Sequence, residues 1–394
     1  MQKVIDKQKQ TFNLSEEQEL LRKTIHEIAQ DNFKDKAKEI DKSHRFPKEN
    51  FDLLAKLGMT GLTLPEKCGG GGMDYISYVI LIEEIARVCA TTSVMLAVHL
   101  SLCSTPIFKF GSEHLKDKYL KKLASGELLG AYCLSEPGSG SDAAAMLTKV
   151  DDKGDYFILN GTKAWITNGS FADVYIVFAQ TNPELKYKGI AAFVVEKNWN
   201  GVSFGKLEDK LGIRASATCQ VIFDNVKIPK ENLLGQIGEG FTIAMSTLDR
   251  GRIGIAAQAL GIAQASYDLA NSYAKSREAF GKKIINFQAI QFMLVEIATE
   301  IEAGRLLTYK AANMYDQGLN FTRESAEAKL FCSELATKAA NKVVQILGGY
   351  GYTTEYDAER FYRDAKITEI YEGTSEIQRI VIAKNLVKEL DKGV

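Results

Sequence analysis

The chain has 394 residues, 45% apolar and 25% charged, with a formal net charge of −1. That balance fits a soluble globular protein of two or three folding units and gives no reason to expect nucleic acid or an anionic membrane as partner. Six scattered cysteines without a C-x-x-C pair suit free thiols rather than a zinc or iron–sulfur site, and all four histidines precede Leu115, so chemistry later in the chain must use carboxylates, tyrosines or lysines.

Residues 1–13 are charged and lack an apolar core, so no signal peptide is expected there. No run reaches 18 apolar residues; the nearest, 94–108, is interrupted by His99, Ser101 and Ser104. A cytoplasmic protein without membrane insertion is the expectation, or a mitochondrial-matrix one if a presequence has been removed. From residue 14 to about 125 the chain reads as helical. Ser15 followed by Gln18 predicts a capping box, 51–57 ends at the C-cap candidate Gly58, and apolar helical stretches follow at 75–88 and 92–108.

Short β-rich runs then take over at 156–159, 164–167, 174–179, 190–195 and 220–223, separated by turn signals such as Asn160-Gly161. Their spacing, without intervening helices, predicts an antiparallel barrel or sandwich. Beyond Pro229 there is no proline, and helical periods cover 240–274, 288–317, 323–347 and 375–390, as in an up-and-down four-helix bundle. The predicted fold class is α+β and mostly helical: an N-terminal helical domain (1–130), a central antiparallel β-barrel domain (131–235) and a C-terminal bundle (236–394).

Four segments stand out chemically. Residues 132–142, Tyr-Cys-Leu-Ser-Glu-Pro-Gly-Ser-Gly-Ser-Asp, combine flexible glycines with hydroxyls that suit close approach to a ligand, or simply form a connecting loop. Trp165 and Thr167 fall on one face of a predicted strand, where they would flank a flat heterocycle or fill a barrel. Residues 345–349, Gln-Ile-Leu-Gly-Gly, end a bundle helix as a partner-accessible stretch or an ordinary C-cap. Finally, Glu372-Gly373-Thr374-Ser375-Glu376 precedes a helix start that Ser375 and Gln378 would cap; free N–H groups there suit a pyrophosphate, and Glu372 is free to project into a cleft.

In this order and spacing, together with 277–281 (Arg-Glu-Ala-Phe-Gly), these motifs resemble the acyl-CoA dehydrogenase family over residues 14–387. The run 248–255, Leu-Asp-Arg-Gly-Arg-Ile-Gly-Ile, is similar to the short-chain, butyryl-CoA type. The resemblance implies FAD-dependent α,β-desaturation of an acyl-CoA thioester, a homotetramer arranged as a dimer of dimers, and electron-transfer flavoprotein as acceptor. It implies that Tyr132, Leu134, Ser135, Trp165, Ile166 and Thr167 surround the flavin and that Thr374, Ser375 and Glu376 meet its phosphates. Arg277, Gln288, Gln345, Ile346, Leu347, Gly348 and Gly349 would reach the FAD of a neighbouring subunit. Ser141 and Asp249, Arg250, Gly251 and Arg252 would hold the CoA portion, with Gly373 near the thioester and Gln258 and Thr368 limiting the pocket floor. Some members carry the base at the position of Gly251; glycine accepts no proton, so the resemblance assigns the base to Glu372. Rival readings are a short branched-chain enzyme, an acyl-CoA oxidase and a non-catalytic scaffold.

Overall fold

The computed structural model describes residues 14–391, so the reading of residues 1–13 lies outside the described residues. Helix α1 (Glu16–Ser43) begins where expected: the Ser15 hydroxyl accepts the Gln18 N–H at 3.1 Å, and the Gln18 side chain accepts the Ser15 N–H at 3.0 Å. Helix α2 (Lys48–Lys56) ends before Gly58, whose φ of 73° turns the chain out of the helix. Helix α3 (Tyr75–Ala86) is capped by Asp74, and α4 runs over Ala90–Phe110. The middle of α4, Val98–Ser104, is wound as a π-helix, with the Ser104 and Thr105 hydroxyls donating to the His99 and Leu100 carbonyls. By length and composition α4 would span a membrane, but 83% of its apolar window is buried within the protein, so it is a core helix. Helix α5 (Glu113–Ala124) closes this region.

One eight-stranded sheet follows, made of β1 (Gly130–Cys133), β2 (Lys149–Asp152), β3 (Tyr156–Ile166), β4 (Val174–Gln180), β5 (Ile190–Glu196), β6 (Val202–Phe204), β7 (Cys219–Pro229) and β8 (Leu233–Leu234). Its order is β6-β7-β3-β2-β4-β5-β8, with β1 beside β4. The sheet is mixed rather than purely antiparallel. β1 pairs with β4 in parallel, Gly130 opposite Val174 through Cys133 opposite Val177, because the long connection through β2 and β3 serves as the crossover that parallel pairing needs. The runs 156–159 and 164–167 are also a single strand. Asn160-Gly161 is a register shift inside β3, not a turn, and a Cβ on Gly161 would meet Thr148 Oγ1 at 2.4 Å. β4 is buried on both faces: Val174, Ile176 and Phe178 pack toward the helices, while Tyr175, Val177 and Ala179 enter the second core.

The C-terminal region contains α6 (Gly240–Ser276), α7 (Gln288–Asp316), α8 (Thr322–Leu347), α9 (Ala358–Ala365) and α10 (Ser375–Leu390). Four of these match the predicted helices within two residues. The fifth, α9, is short and largely charged, and tertiary partners anchor it: Arg363 pairs with Asp41 at 2.7 Å and Asp364 accepts the Ile213 N–H at 2.5 Å. Helix α6 is the axis, packed along α8, α7 and α3. Its Gly254 and Gly261 lie two turns apart, where a Cβ would come within 2.4 Å of Tyr78 Oη and 2.3 Å of the Glu83 carbonyl, so α3 can lie directly on α6. One core joins α4, the helix-facing side of the sheet and the bundle. Leu260 is fully buried in it, and its truncation to Ala would cost about 2–5 kcal/mol.

Candidate active site

The segment between α9 and α10 holds Glu372, the candidate base. Lys366–Glu369 form a 3-10 turn, and the Tyr371 N–H still reaches the Ile367 carbonyl at 3.1 Å. Glu372 and Gly373 then both take positive φ, 53° and 96°. Such a φ is uncommon for a residue with a Cβ and worth explaining. Here the left-handed pair reverses the chain, turning the Glu372 side chain inward while α10 starts beyond it. The cap of α10 is Thr374, whose hydroxyl accepts the Ile377 N–H at 3.3 Å. The expected Ser375–Gln378 capping box is not formed. Ser375 is already the first helical residue, and the Gln378 amide donates back to the carbonyls of Gly373 at 2.8 Å and Glu372 at 3.3 Å.

Glu372 is partly exposed as a residue, but its Oε2 is buried and has no hydrogen-bond partner. The carboxyl lies on α6 at Gly251: a Cβ there would be 1.9 Å from Glu372 Oε2 and 2.9 Å from Leu102 Cδ2. Glycine at 251 therefore leaves the volume that the carboxyl fills. Desolvation raises the Glu372 pKa to about 7, against the opposing pull of the Lys329 and Arg252 cations. A carboxyl that titrates near neutrality with one unsatisfied oxygen is fitted to accept a proton.

The run from Asp249 to Arg252 does not act as one unit. Helical spacing puts Asp249 and Arg252 together, bonded at 2.5 Å, and Asp249 also accepts from Thr322 at 2.7 Å. Arg252 is buried and faces Glu372. Arg250 turns away, its guanidinium 5.9 Å from the ring centroids of Phe110 and Tyr315, and donates to the Ser246 carbonyl at 2.7 Å. Further along α6, Gln258 is fully buried; it donates to the Ala90 carbonyl at 2.9 Å and accepts from the Tyr371 hydroxyl. Thr368, also fully buried, donates to the Ala365 carbonyl at 2.7 Å. Gln258 thus ties the neighbour of Glu372 to the start of α4.

Tyr132 is buried, donates to the Ala244 carbonyl at 3.2 Å, and senses the Glu372 charge across the same interior. The loop after it is pinned from below. Lys163, fully buried, donates to the Leu134 carbonyl at 3.1 Å and to Glu136 at 2.8 Å, and the Ala164 N–H donates to the Ser135 carbonyl at 2.9 Å. Trp165 has φ 62° at the second register shift of β3, which breaks the strand alternation and leaves the residue 62% exposed. Thr167 is partly exposed just past the strand end, whereas Ile166 is buried in the core. Ser141 is exposed at the far end of the loop. Ser375 Oγ at the α10 start is buried and unpartnered, while Glu376 is exposed. An exposed indole, a rigid loop beside it and an unsatisfied hydroxyl at a helix start fit a flat heterocycle with a phosphate tail.

Arg277, Ile346, Leu347, Gly348 and Gly349 gather elsewhere, around a cavity of about 540 Å³ with Tyr350, whose ring centroid is 5.7 Å from the Arg277 guanidinium. Gln288 and Gln345 are exposed beyond that lining. Helix α6 separates this group from Gly251 by 26 residues, about 39 Å. The sequence reading missed Lys329, Lys163 and the inward turn of Gln378. Lys329 had a legible signal: it stands at helical spacing in a stripe with Ser325, Cys332, Ser333 and Ala336, all buried.

Three segments of the chain match, in order, the N-terminal domain (residues 15–127), middle domain (131–226) and C-terminal domain (238–387) of acyl-CoA dehydrogenase. The chain is 50% identical to the mitochondrial short-chain specific acyl-CoA dehydrogenase of Rattus norvegicus, over 96% of this chain and 92% of that protein. It superposes on butyryl-CoA dehydrogenase from Megasphaera elsdenii with a TM-score of 0.94 at 44% identity, covering 96% of this chain and 100% of that one. A chain solved in work on the electron transferring flavoprotein of Acidaminococcus fermentans also gives 0.94, at 47% identity, covering 95% of this chain and 99% of that one. With all three domain matches in sequence and a glutamate whose Oε2 is buried and unpartnered on the reversed turn before α10, the chain belongs to the acyl-CoA dehydrogenase family.

Proposed function

We propose that the protein desaturates short-chain acyl-CoA thioesters of the butyryl type, with Glu372 as the base and FAD as cofactor. The observation that carries this reading is the Glu372 carboxyl, desolvated, unpartnered at Oε2 and seated on a glycine. Bound FAD supplies the acceptor for the hydride that leaves the β-carbon. Tyr132, Leu134, Ser135, Trp165, Thr167 and the Ile166 backbone would hold its ring, and the α10 start at Thr374–Glu376 its phosphates.

Ionised Glu372 takes the α-proton on its free oxygen and becomes neutral, the form that its dry surroundings favour. Burial also keeps water from competing for the same oxygen. Because the base must be ionised, flavin reduction rises with pH through about 7. Gly373 would sit by the thioester and Arg252 beside the base, with Ser141 toward the CoA portion. Gln258 and Thr368 close the far end, which favours short chains, in keeping with the names of the rat and Megasphaera relatives. The Arg277 group, about 39 Å away along α6, is suited to the FAD of a neighbouring subunit in a homotetramer. The similarity to the Acidaminococcus chain supports electron-transfer flavoprotein as the acceptor.

Anaerobic flavin bleaching over a panel of acyl-CoAs tests the reading. Butyryl-CoA should exceed octanoyl-CoA in kcat/KM by about tenfold or more, equivalent to about 1.4 kcal/mol. Glu372→Gln should bind FAD and acyl-CoA and bleach about 10²–10⁴-fold more slowly. Bleaching by Glu372→Gln at the wild-type rate would refute the assignment.

A further inference from the structure

Lys329 is fully buried in α8, where an ammonium is costly unless something offsets its desolvation. Among the described residues, the ammonium has one strong hydrogen bond, at 2.6 Å to the carbonyl of Gly373. The same carbonyl accepts the Gln378 amide at 2.8 Å from α10. Two helices therefore grip the second residue of the left-handed pair whose first residue is Glu372. Resting on the reading of Glu372 as the base, we infer that Lys329 is a positioning residue: it clamps the Glu372–Gly373 turn through the Gly373 carbonyl and so holds a buried positive charge one residue from the base.

Two cations act on the Glu372 carboxyl, and Lys329 is the larger influence. On α6, Arg252 also lowers the Glu372 pKa, as the smaller of the two cationic influences, and is itself bonded to Asp249 at 2.5 Å. Arg250 is directed to Phe110 and Tyr315. The other titratable groups near the carboxyl are Tyr75 and Tyr78 from α3, Tyr132 from β1 and the adjacent Tyr371, all phenols pushed upward by burial and neutral at working pH. Glu369 and Glu376 flank the segment and act on Lys329 rather than replace it. Lys329 itself is lowered to about 8 by desolvation, and the Glu372 charge opposes that shift. Each group's charge thus opposes the other's desolvation and favours the other's ionised form.

The test uses the holoenzyme as Lys329→Met, as Lys329→Gln, which keeps a hydrogen-bond donor without the charge, and as Lys329→Arg, which keeps the charge. Infrared difference titration follows the carboxylic-acid band that disappears in Glu372→Gln, independently of turnover. Stopped-flow reduction by butyryl-CoA gives the matching pH profile. A lost cation raises a carboxyl pKa, so in the Met and Gln variants the band midpoint and the acidic limb should both move up by about one pH unit, a loss of about tenfold in rate on that limb. Lys329→Arg should restore both. An unmoved midpoint in Lys329→Gln overturns the inference, whether or not Lys329→Met folds. Wild-type bleaching by Glu372→Gln would instead remove the base assignment itself, so the two failures are distinguishable.

Discussion

Gly251→Ala isolates the geometry of the base from its chemistry. The added methyl would lie 1.9 Å from Glu372 Oε2, where ordinary contact begins near 3.4 Å, so the carboxyl must retreat by roughly 1.5 Å. The helix cannot easily yield instead, since Gly254 and Gly261 hold α6 directly against α3. The yielding group is the flexible end of the glutamate side chain. Its displacement from a good rotamer costs about 0.5–1.5 kcal/mol, while Ala gains about 1 kcal/mol over Gly in a helix interior. Stability should therefore change by less than about 1 kcal/mol. Catalysis has no such offset, because a misplacement of about 1 Å at a reacting group costs about 10²-fold. The assay pairs thermal melting and flavin absorbance with anaerobic stopped-flow reduction by butyryl-CoA. An unchanged melt with reduction slowed about a hundredfold is expected. Reduction within about threefold of wild type would show that the carboxyl need not occupy the Gly251 seat, and the argument from that contact would fail.

Gln258→Ala removes the bonds to Ala90 and Tyr371 and opens the floor; the kcat/KM preference for butyryl-CoA over octanoyl-CoA should shrink by about tenfold. An unchanged ratio would count against Gln258 as a chain-length limit. Arg277→Ala removes a charged fork from the edge of the cavity near Gly348, and FAD affinity should fall about ten- to a hundredfold. Flavin absorbance and size-exclusion elution on the same sample test this, with a fully flavinated monomer as the contrary outcome.

Much of this protein was legible in the sequence because the signals are local. Ser15 and Gln18 sit one helical turn apart, so their reciprocal cap needs no distant partner. The long apolar periods after Pro229 were sufficient to delimit α6, α7, α8 and α10. Glu372 was singled out by its place before a helix start and by the glycine at 251, through the family resemblance. What the sequence could not show is everything that depends on contacts across the fold. Asn160-Gly161 reads as a turn but lies within β3, because β7 and Thr148 enclose it. Trp165 faces solvent because a register shift overrides strand alternation, and α9 exists because Asp41 and the Ile213 backbone hold it. The near-neutral titration of Glu372 belongs to this second class. Its carboxyl is desolvated by α4 and α6 and its turn is clamped by α8 and α10, elements distributed over most of the chain. A pKa is set by solvent exclusion and nearby charge, which are properties of the packed interior and not of the residues beside Glu372 in the chain.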